Sequence, residues 1–298
     1  MSEAVIDFAF WAAPVRKLSF ADHVKAAAAG NFASLAVAPI TYDDTLAQGS
    51  SAKDMLALAA DHGVALRHLD TVTTWAPVQL DEHDFDPEMN RRWRVSVDHA
   101  LEVCDALGLR QILATAAYLK DGAPLQQLVD GFGALCDRAA ARDIWVDLEP
   151  MPFFGCPTVA DAMAVVGGAG RPNAGVMMDS WHFFKAGQTI ANLEAVPGER
   201  IRTVQLSDAP RRQIEAKLID DTMQHRRWPG EGELPLVAFL QALLAKGQIR
   251  TISEEVFSLE ADAMDAATAG RKAGETTRAV LAAAGMTVAH RMREEAGA

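Results

Sequence analysis

The chain has 298 residues, half of them hydrophobic, and a net charge of −12 at pH 7. An acidic chain without clustered Lys and Arg lacks the surface that binds nucleic acids or anionic membranes, so we expect neither as a partner. No apolar run approaches the roughly 18 residues of a membrane span.

Short β-branched segments alternate along the chain with longer amphipathic segments. The segments predicted as strands are Ala4–Phe10, Ala33–Ala38, Ala65–Asp70, Gln111–Ala116, Ile144–Glu149, Gly175–Asp179, Thr203–Ser207 and Thr251–Phe257. The segments predicted as helices include Ala21–Ala29, Ala52–His62, Arg91–Leu107, Pro124–Ala141, Leu236–Lys246 and Gly274–Ala284. This alternation predicts βαβ units and a parallel sheet.

Eight such units without a linker predict closure into one (β/α)8 barrel, the α/β TIM-barrel fold. A doubly wound open sheet has the same alternation, but the chain lacks the G-x-G-x-x-G turn and the P-loop found in many such folds. We therefore predict a single TIM-barrel domain over 1–298, with a frayed tail from about 286 to 298.

The compartment is predicted from the cysteines and from the first residues. Cys104, Cys136 and Cys156 are few, odd in number and lack the spacing of metal sites. This pattern is typical of a reducing compartment. The first residues carry an early acid and no basic segment, which does not match a signal peptide. Together these observations predict a cytoplasmic protein.

Oxygen-bearing side chains stand at the carboxyl ends of the last four predicted strands. Because side chains alternate across a strand, Glu149, Asp179, Gln205 and Glu255 are predicted to face the barrel interior. Alternation sends Glu254 towards the helices, so it is kept only as the alternative to Glu255. Three converging carboxylates repel one another and need a cation or protons to coexist.

A divalent metal is the simple solution. An all-oxygen ligand set favours Mg²⁺ or Mn²⁺ over Zn²⁺, with Co²⁺ as a further possibility. The alternative interpretation is that each carboxylate is a helix cap or a surface residue just beyond its strand.

Five short motifs carry a resemblance to a known family. They are Leu-Glu-Pro at 148–150, Asp-Ser-Trp-His at 179–182, Gln-Leu-Ser-Asp-Ala at 205–209, Arg-Trp-Pro-Gly-Glu-Gly at 227–232 and Glu-Val-Phe-Ser at 255–258. In this order the set resembles the xylose-isomerase-like sugar phosphate isomerase/epimerase superfamily. The resemblance implies a (β/α)8 barrel with a divalent metal held by Glu, Asp, His and Glu, which match Glu149, Asp179, Gln205 and Glu255.

The residue at 205 departs from this pattern, because Gln205 stands where His is usual. A glutamine there also resembles the bacterial 3-dehydroshikimate dehydratases of the same superfamily. The resemblance further implies that His182 lies beside the metal and that Arg226 contacts substrate. His225 lies in the same loop as Arg226 and is a further candidate for substrate binding.

Two tryptophans are candidates for the pocket wall. Trp75 follows the third predicted strand, and Trp181 is next to His182. Either could line an apolar face of the site, and a packing role is equally consistent with the sequence.

The expected activity is isomerisation or epimerisation of a small keto-sugar, polyol or related hydroxy-ketone. Glu149 and Glu255 would transfer the proton, and His182 would stabilise the oxyanion that forms. A dehydratase of the 3-dehydroshikimate type would use the same residues, and a non-catalytic sugar-binding barrel is the third alternative. We also expect a small polar substrate and a homo-oligomer, either a dimer or a tetramer.

Overall fold

Parallel strands form one continuous sheet that curves into a nearly closed barrel. The computed structural model describes residues 6–79 and 87–286. The strands are β1 (Asp7–Phe10), β2 (Ser34–Val37), β3 (Ala65–Val72), β4 (Gln111–Thr115), β5 (Trp145–Glu149), β6 (Ala174–Val176), β7 (Met178–Asp179), β8 (Thr203–Leu206) and β9 (Thr251–Glu254). Their order is β6-β5-β4-β3-β2-β1-β9-β8-β7, and every pair is parallel.

The barrel closes through one interrupted strand. β6 pairs with β5 and β7 pairs with β8, and only Met177 separates β6 from β7. The segment predicted as Gly175–Asp179 is therefore two short strands. The chain forms the predicted eight-fold (β/α) arrangement, with its sixth strand split.

Helices cover the outside of the sheet. They are α1 (Phe20–Ala29), α2 (Pro39–Ala47), α3 (Ala52–Asp61), α4 (Pro87–Arg92), α5 (Val97–Leu107), α6 (Leu125–Ala140), α7 (Val159–Ala169), α8 (Ser180–Lys185), α9 (Leu218–Gln224), α10 (Leu236–Leu244), α11 (Leu259–Asp262) and α12 (Ala266–Ala283). Short 3-10 turns lie at Ala13–Val15, Ile190–Leu193 and Gly198–Arg200. No helix in the described ranges is both long and apolar enough to cross a bilayer.

Two predicted helices differ from the structure. The segment predicted as Arg91–Leu107 is broken, because the Ser96 side chain caps a new helix by accepting a hydrogen bond from the His99 amide at 3.1 Å. The last helix begins at Ala266 rather than Gly274, because Asp265 caps it by accepting a bond from the Thr268 amide.

The predicted strand at 251–257 is also wrong at its end. β9 stops at Glu254, and the Phe257 carbonyl accepts a hydrogen bond from the Arg226 amide in the loop after β8. Residues 4 and 5 of the first predicted strand, and 287–298 of the predicted tail, lie outside the described residues.

The barrel interior is apolar only near its middle. A small cluster of Ala9, Trp11, Ala36, Leu113 and Met177 fills it, separate from the large core between sheet and helices. Polar side chains lie inside the barrel on either side of this cluster. Because side chains alternate along a β-strand, one face of each strand packs in the outer core between sheet and helices. The other face points into the barrel, where the polar side chains and the small apolar cluster lie.

Candidate functional site

Four side chains gather at the carboxyl end of the barrel. Glu149 ends β5, Asp179 ends β7, His182 lies in α8, and Glu255 directly follows β9. One ligand atom from each lies within 4.8 Å of the others, and all four residues are buried. Barrel enzymes place their active sites at this end.

Gln205 lies beside this group. In the sheet it is level with Asp179 on one side and Ser253 on the other. Its Nε2 lies 3.3 Å from Glu255 Oε1. Its Oε1 is buried and has no hydrogen-bond partner among the described residues. The four predicted metal ligands are therefore brought together, and His182 adds an imidazole to them.

Glu255, rather than Glu254, faces the site. Glu254 is level with Phe10 and Leu206 in the sheet, and both of those side chains belong to the outer core. Burial raises the pKa of Glu254 well above its ordinary value, and the neighbouring Glu255 adds to this. Strand alternation predicted this choice, although Glu255 lies one residue beyond the strand.

Crowding of buried carboxylates shifts their protonation. Burial raises the pKa of Glu149 well above its ordinary value, and repulsion from Glu255 and Asp179 raises it further. Burial raises the pKa of Glu255 to about 8, although Arg226 opposes the shift. Shifted pKa values cluster at functional sites, and here the convergence of these carboxylates with His182 provides the geometric evidence beside the shifts.

His182 is held as a neutral ring. Burial lowers its pKa to about 3, although Asp179 opposes the shift. The Arg226 Nη2 lies 3.1 Å from His182 Nε2 and donates to it, so this nitrogen carries no proton. Asp179 fixes the backbone of His182, because its Oδ1 accepts from the His182 amide at 2.6 Å and caps α8.

Arg226 provides the balancing charge. Its Nη1 lies 2.9 Å from Asp179 Oδ2 and 3.1 Å from Glu255 Oε2. Its Nε donates to Thr222 Oγ1 at 2.9 Å, and its guanidinium carbon lies 5.2 Å from the Trp181 ring centroid. The sequence predicted a substrate contact for Arg226, with neutralisation of nearby acids as the alternative, and these ion pairs are contacts of the second kind.

An aromatic wall borders the site. The Phe153 ring lies edge-on to His182, with centroids 5.5 Å apart, and packs on Phe154, which in turn contacts Trp93. Trp181 also lies edge-on to His182, with centroids 5.3 Å apart. Sequence reasoning missed Phe153, although its position four residues after Glu149 was a usable signal.

Two predicted substrate contacts lie elsewhere. Trp75 is buried in the outer core against Phe132, and its Nε1 donates to the Thr115 carbonyl at 2.8 Å. His225 is partly exposed, and its Nε2 lies 2.8 Å from Glu215 Oε1. The structure therefore does not place either residue beside the cluster of buried carboxylates at the carboxyl end of the barrel.

The residues at this centre fit a divalent metal. Glu149 Oε1 and Gln205 Oε1 are buried acceptors without hydrogen-bond partners among the described residues. Three carboxylates share the centre with one guanidinium, so negative charge exceeds positive charge when all are ionised. Hard oxygen donors together with a neutral imidazole form a ligand set that Mg²⁺, Mn²⁺ and similar cations accept.

Comparison with known proteins identifies the family. The profile of the family described as "Xylose isomerase-like TIM barrel" matches residues 24–277. The chain therefore belongs to the xylose isomerase-like TIM barrel family, as its motifs predicted.

Curated relatives are enzymes of two kinds. A 3-dehydroshikimate dehydratase of Pseudomonas putida is 25% identical over 244 residues, which cover 80% of this chain and 36% of that protein. An inosose isomerase of Bacillus velezensis is 28% identical over 190 residues, which cover 61% of this chain and 65% of that protein. The matched region thus spans about a third of the first relative and slightly under two thirds of the second.

A solved structure supports the fold. The crystal structure of the IolI protein "with a binding zinc atom" superposes with a TM-score of 0.77 at 21% identity, covering 92% of this chain and 98% of that chain. At this identity the likeness shows the barrel and not the reaction.

Proposed function

We propose that this chain is a divalent-metal-dependent isomerase or epimerase of a small keto-sugar, polyol or related hydroxy-ketone. One observation carries the proposal: two buried carboxyl groups with raised pKa values, Glu149 and Glu255, share one centre with Asp179 and His182. Two carboxyl groups at one centre can remove a proton from carbon and return it.

Glu149, Asp179, Gln205 and Glu255 are the residues that would hold the metal. His182 lies close enough to join them. A bound divalent cation would act as a Lewis acid that stabilises the negative charge developing on a substrate oxygen. The oxygen-rich set favours Mn²⁺ or Mg²⁺, with Co²⁺ as a further candidate.

Glu149 and Glu255 are suited to proton transfer because burial raises their pKa values above that of an exposed carboxyl group. In an epimerase, one carboxylate takes the proton from the carbon beside the carbonyl, and the other, as the acid, delivers a proton to the opposite face. In an isomerase, one carboxylate returns the proton to the adjacent carbon, and the other group transfers a proton from the hydroxyl oxygen to the former carbonyl oxygen. In both routes the two groups act as acid and base.

Arg226 and His182 complete the centre. Arg226 is fixed by Thr222, Asp179 and Glu255, so its donors are oriented before a substrate arrives. Preorganised donors stabilise an oxyanion without the cost of reorienting during the reaction. The aromatic wall of Phe153 and Trp181 limits water at the reacting carbon.

A dehydratase of the 3-dehydroshikimate type is the second candidate. Two observations favour it. The match to the Pseudomonas putida dehydratase covers 80% of this chain. In addition, a glutamine at position 205, in place of the usual histidine, is a feature in which the sequence resembles such dehydratases. The first step would be the same removal of a proton from carbon, followed by loss of a β-hydroxyl as water.

Deuterium exchange separates the two candidates. The Mn²⁺-loaded or Mg²⁺-loaded chain is incubated in D₂O with inosose, a ketose such as D-allulose, and 3-dehydroshikimate, and followed by NMR. Deuterium entering one carbon without loss of water supports the isomerase. Loss of water with a new aromatic signal supports the dehydratase, and no exchange with any substrate would refute both.

The role of Glu149 is tested by an isosteric change. Glu149→Gln removes the acid–base group and is expected to lower kcat by a factor of about 10² to 10⁴. Glu254→Gln is the matched control, because Glu254 is equally buried but faces the outer core. Full activity of Glu149→Gln, with metal content unchanged, would contradict the assignment.

A further inference from the structure

A second polar cavity lies at the opposite end of the barrel, where the strands begin. Its volume is about 260 Å³, which suits a molecule smaller than a typical drug. Four arginines line it, namely Arg67, Arg110, Arg202 and Arg250. This concentration of positive charge is unexpected in a chain with a net charge of −12.

Barrel geometry brings these arginines together. Arg110, Arg202 and Arg250 each directly precede a strand, namely β4, β8 and β9, and Arg67 lies near the start of β3. The Arg110 amide donates to the Arg67 carbonyl at 2.8 Å, and the Arg250 amide donates to the Arg202 carbonyl at 2.8 Å. The four residues therefore form two neighbouring pairs around one opening.

Two carboxylates, Asp7 and Asp147, lie close to the arginines, and each has partners already, although Asp7 Oδ1 makes no hydrogen bond with a described residue. Asp7 Oδ2 accepts from Ser34 Oγ at 2.7 Å and lies 3.0 Å from His68 Nε2, while Asp7 Oδ1 lies 3.2 Å from Arg67 Nη1.

Asp147 is engaged in the same way. It accepts from Trp145 Nε1 at 2.6 Å, from Thr203 Oγ1 at 2.7 Å and from Gln111 Nε2. These three donors already engage the Asp147 carboxylate. The side chains of Arg110, Arg202 and Arg250 form no ion pair within 4.0 Å with any carboxylate in the described part of the chain.

His68 belongs to the same buried layer. Its Nε2 lies 3.0 Å from Asp7 Oδ2, and its Nδ1 lies 2.5 Å from Gln111 Oε1. The Gln111 amide nitrogen donates to Asp147 and Thr203, so Gln111 links His68 to Asp147.

Arg202 is oriented for a ligand. Its guanidinium carbon lies 3.6 Å from the centroid of the Trp145 ring, a close cation–π contact. Burial and repulsion from Arg250 lower its pKa, although Asp147 opposes the shift. A stacked guanidinium keeps its N–H edge free to donate, and that edge matches phosphate oxygens.

We propose that this cavity binds the phosphate group of a small molecule, held by Arg110, Arg202 and Arg250. Four arginines against Asp7 in the lining and Asp147 beside it leave an excess of two positive charges when all six groups are ionised, which a phosphate dianion would offset. The cavity lies at the opposite end of the barrel from the carboxylate centre, which is the group of Glu149, Asp179 and Glu255. The proposal therefore does not rest on the proposed function.

Calorimetric titration of the metal-free chain tests the site. The metal is removed by chelation and dialysis, so that phosphate has no cation to bind at the carboxylate centre. Inorganic phosphate and glycerol 3-phosphate are then titrated at constant ionic strength. We expect one site per chain, and the comparison of the two probes shows whether the free ion or a phosphate ester is preferred.

Two variants decide the location. Arg250→Gln, at an exposed position that does not threaten folding, is expected to weaken binding about tenfold. Arg271→Gln removes the same charge from an exposed position on α12 and should leave the affinity unchanged. No binding at millimolar phosphate, unchanged affinity in Arg250→Gln, or an equal loss of affinity in Arg271→Gln would overturn the proposal.

Discussion

Arg226 is a buried cation whose partners are two carboxylates and a neutral histidine. Removing a guanidinium from water is costly, and only close partners with good geometry compensate for that cost. In this site the compensation is mutual, because Asp179 and Glu255 would otherwise face each other and Glu149 without a counter-charge. Arg226 therefore stabilises the folded chain as well as the candidate reaction centre.

The variant Arg226→Met tests this role. Removal of one partner from a buried ion pair costs about 3 kcal/mol or more, so the free energy of unfolding of the metal-free chain should fall by about that amount near pH 8. Mn²⁺ should restore part of the loss, because a cation again balances the carboxylates. Urea unfolding with and without Mn²⁺ measures both effects.

Arg138→Met is the matched control for Arg226→Met. Arg138 pairs with Asp98 at 2.6 Å on the surface, where both side chains are exposed. An exposed pair of this kind is worth about 0–1 kcal/mol. If Arg226→Met costs no more than Arg138→Met, the buried guanidinium is not needed to hold the carboxylates together.

Strand alternation was sufficient to find the inward-facing oxygen donors and insufficient for the residues around them. Glu149, Gln205 and Glu255 follow from a period of two applied to single strands. Arg226 reaches the same centre from a loop whose path depends on tertiary contacts, and no local pattern encodes that path. Trp75 lies beyond a strand end, where alternation no longer decides which way a side chain points.

Helices α1 and α12 close the outer layer of the barrel, and glycine permits their close approach. A Cβ added at Gly270 would overlap the carbonyl oxygen of Ala26, and one at Gly274 would overlap the carbonyl oxygen of Gly30. Both contacts are with backbone, which cannot move aside as a flexible side chain can. The two glycines therefore let α12 dock on the start of the chain.

Gly270→Ala should reverse the usual effect of replacing a helical glycine. Alanine favours an α-helix by about 1 kcal/mol over glycine, but overlap with the backbone of Ala26 should cost about 1–3 kcal/mol. We expect a net loss of unfolding free energy. Gly167→Ala is the control, because a Cβ at that position in α7 meets no atom within 4 Å. Equal stabilisation of both variants in thermal unfolding would refute the packing argument.

Element boundaries depended on interactions that sequence periodicity does not contain. The amphipathic pattern of 91–107 is continuous, yet the capping bond at Ser96 separates α4 from α5. The sixth strand splits at Met177, whose side chain fills the centre of the barrel. The order of strands and helices was predictable, because it follows from alternation and chain length.

Across the whole molecule the barrel separates opposite charges. Carboxylates concentrate at the carboxyl ends of the strands, arginines concentrate at the amino ends, and the apolar cluster lies between them. Each end holds buried ionisable groups with shifted pKa values, so the stability of the fold is linked to pH. The sign of that linkage differs between the acids and the histidines.

Buried acids destabilise the metal-free chain as pH rises. The pKa of Glu255 is raised from 4.5 to about 8 and that of Asp147 from 3.8 to about 6, in both cases chiefly by burial. The folded state therefore holds protons that the unfolded state has released. Each acid therefore contributes a stabilisation that is fully present below its pKa in the unfolded state. This stabilisation is lost as the pH rises through the pKa of the same group in the folded state, at up to about 1.4 kcal/mol per pH unit.

Buried histidines act in the opposite direction. Burial lowers the pKa of His182 to about 3 and that of His23 to about 4. Below pH 6.5 these histidines are protonated in the unfolded chain but remain neutral in the folded chain. Their contribution to the free energy of unfolding therefore falls as the solution becomes more acidic. Above about pH 7 these histidines contribute little, so the unfolding free energy of the metal-free chain should fall from there to pH 9 as the buried acids ionise, while at lower pH the two sets of groups oppose each other.

Urea unfolding between pH 4 and pH 9 checks this profile, and Glu255→Gln identifies its alkaline arm. The variant cannot ionise at 255, so its unfolding free energy should fall less steeply between pH 6 and pH 9 than that of the parent chain. Saturating Mn²⁺ should also flatten this arm, because ionised carboxylates bind the cation and affinity rises with pH. An alkaline arm unchanged by both Glu255→Gln and Mn²⁺ would show that groups outside the carboxylate centre cause it.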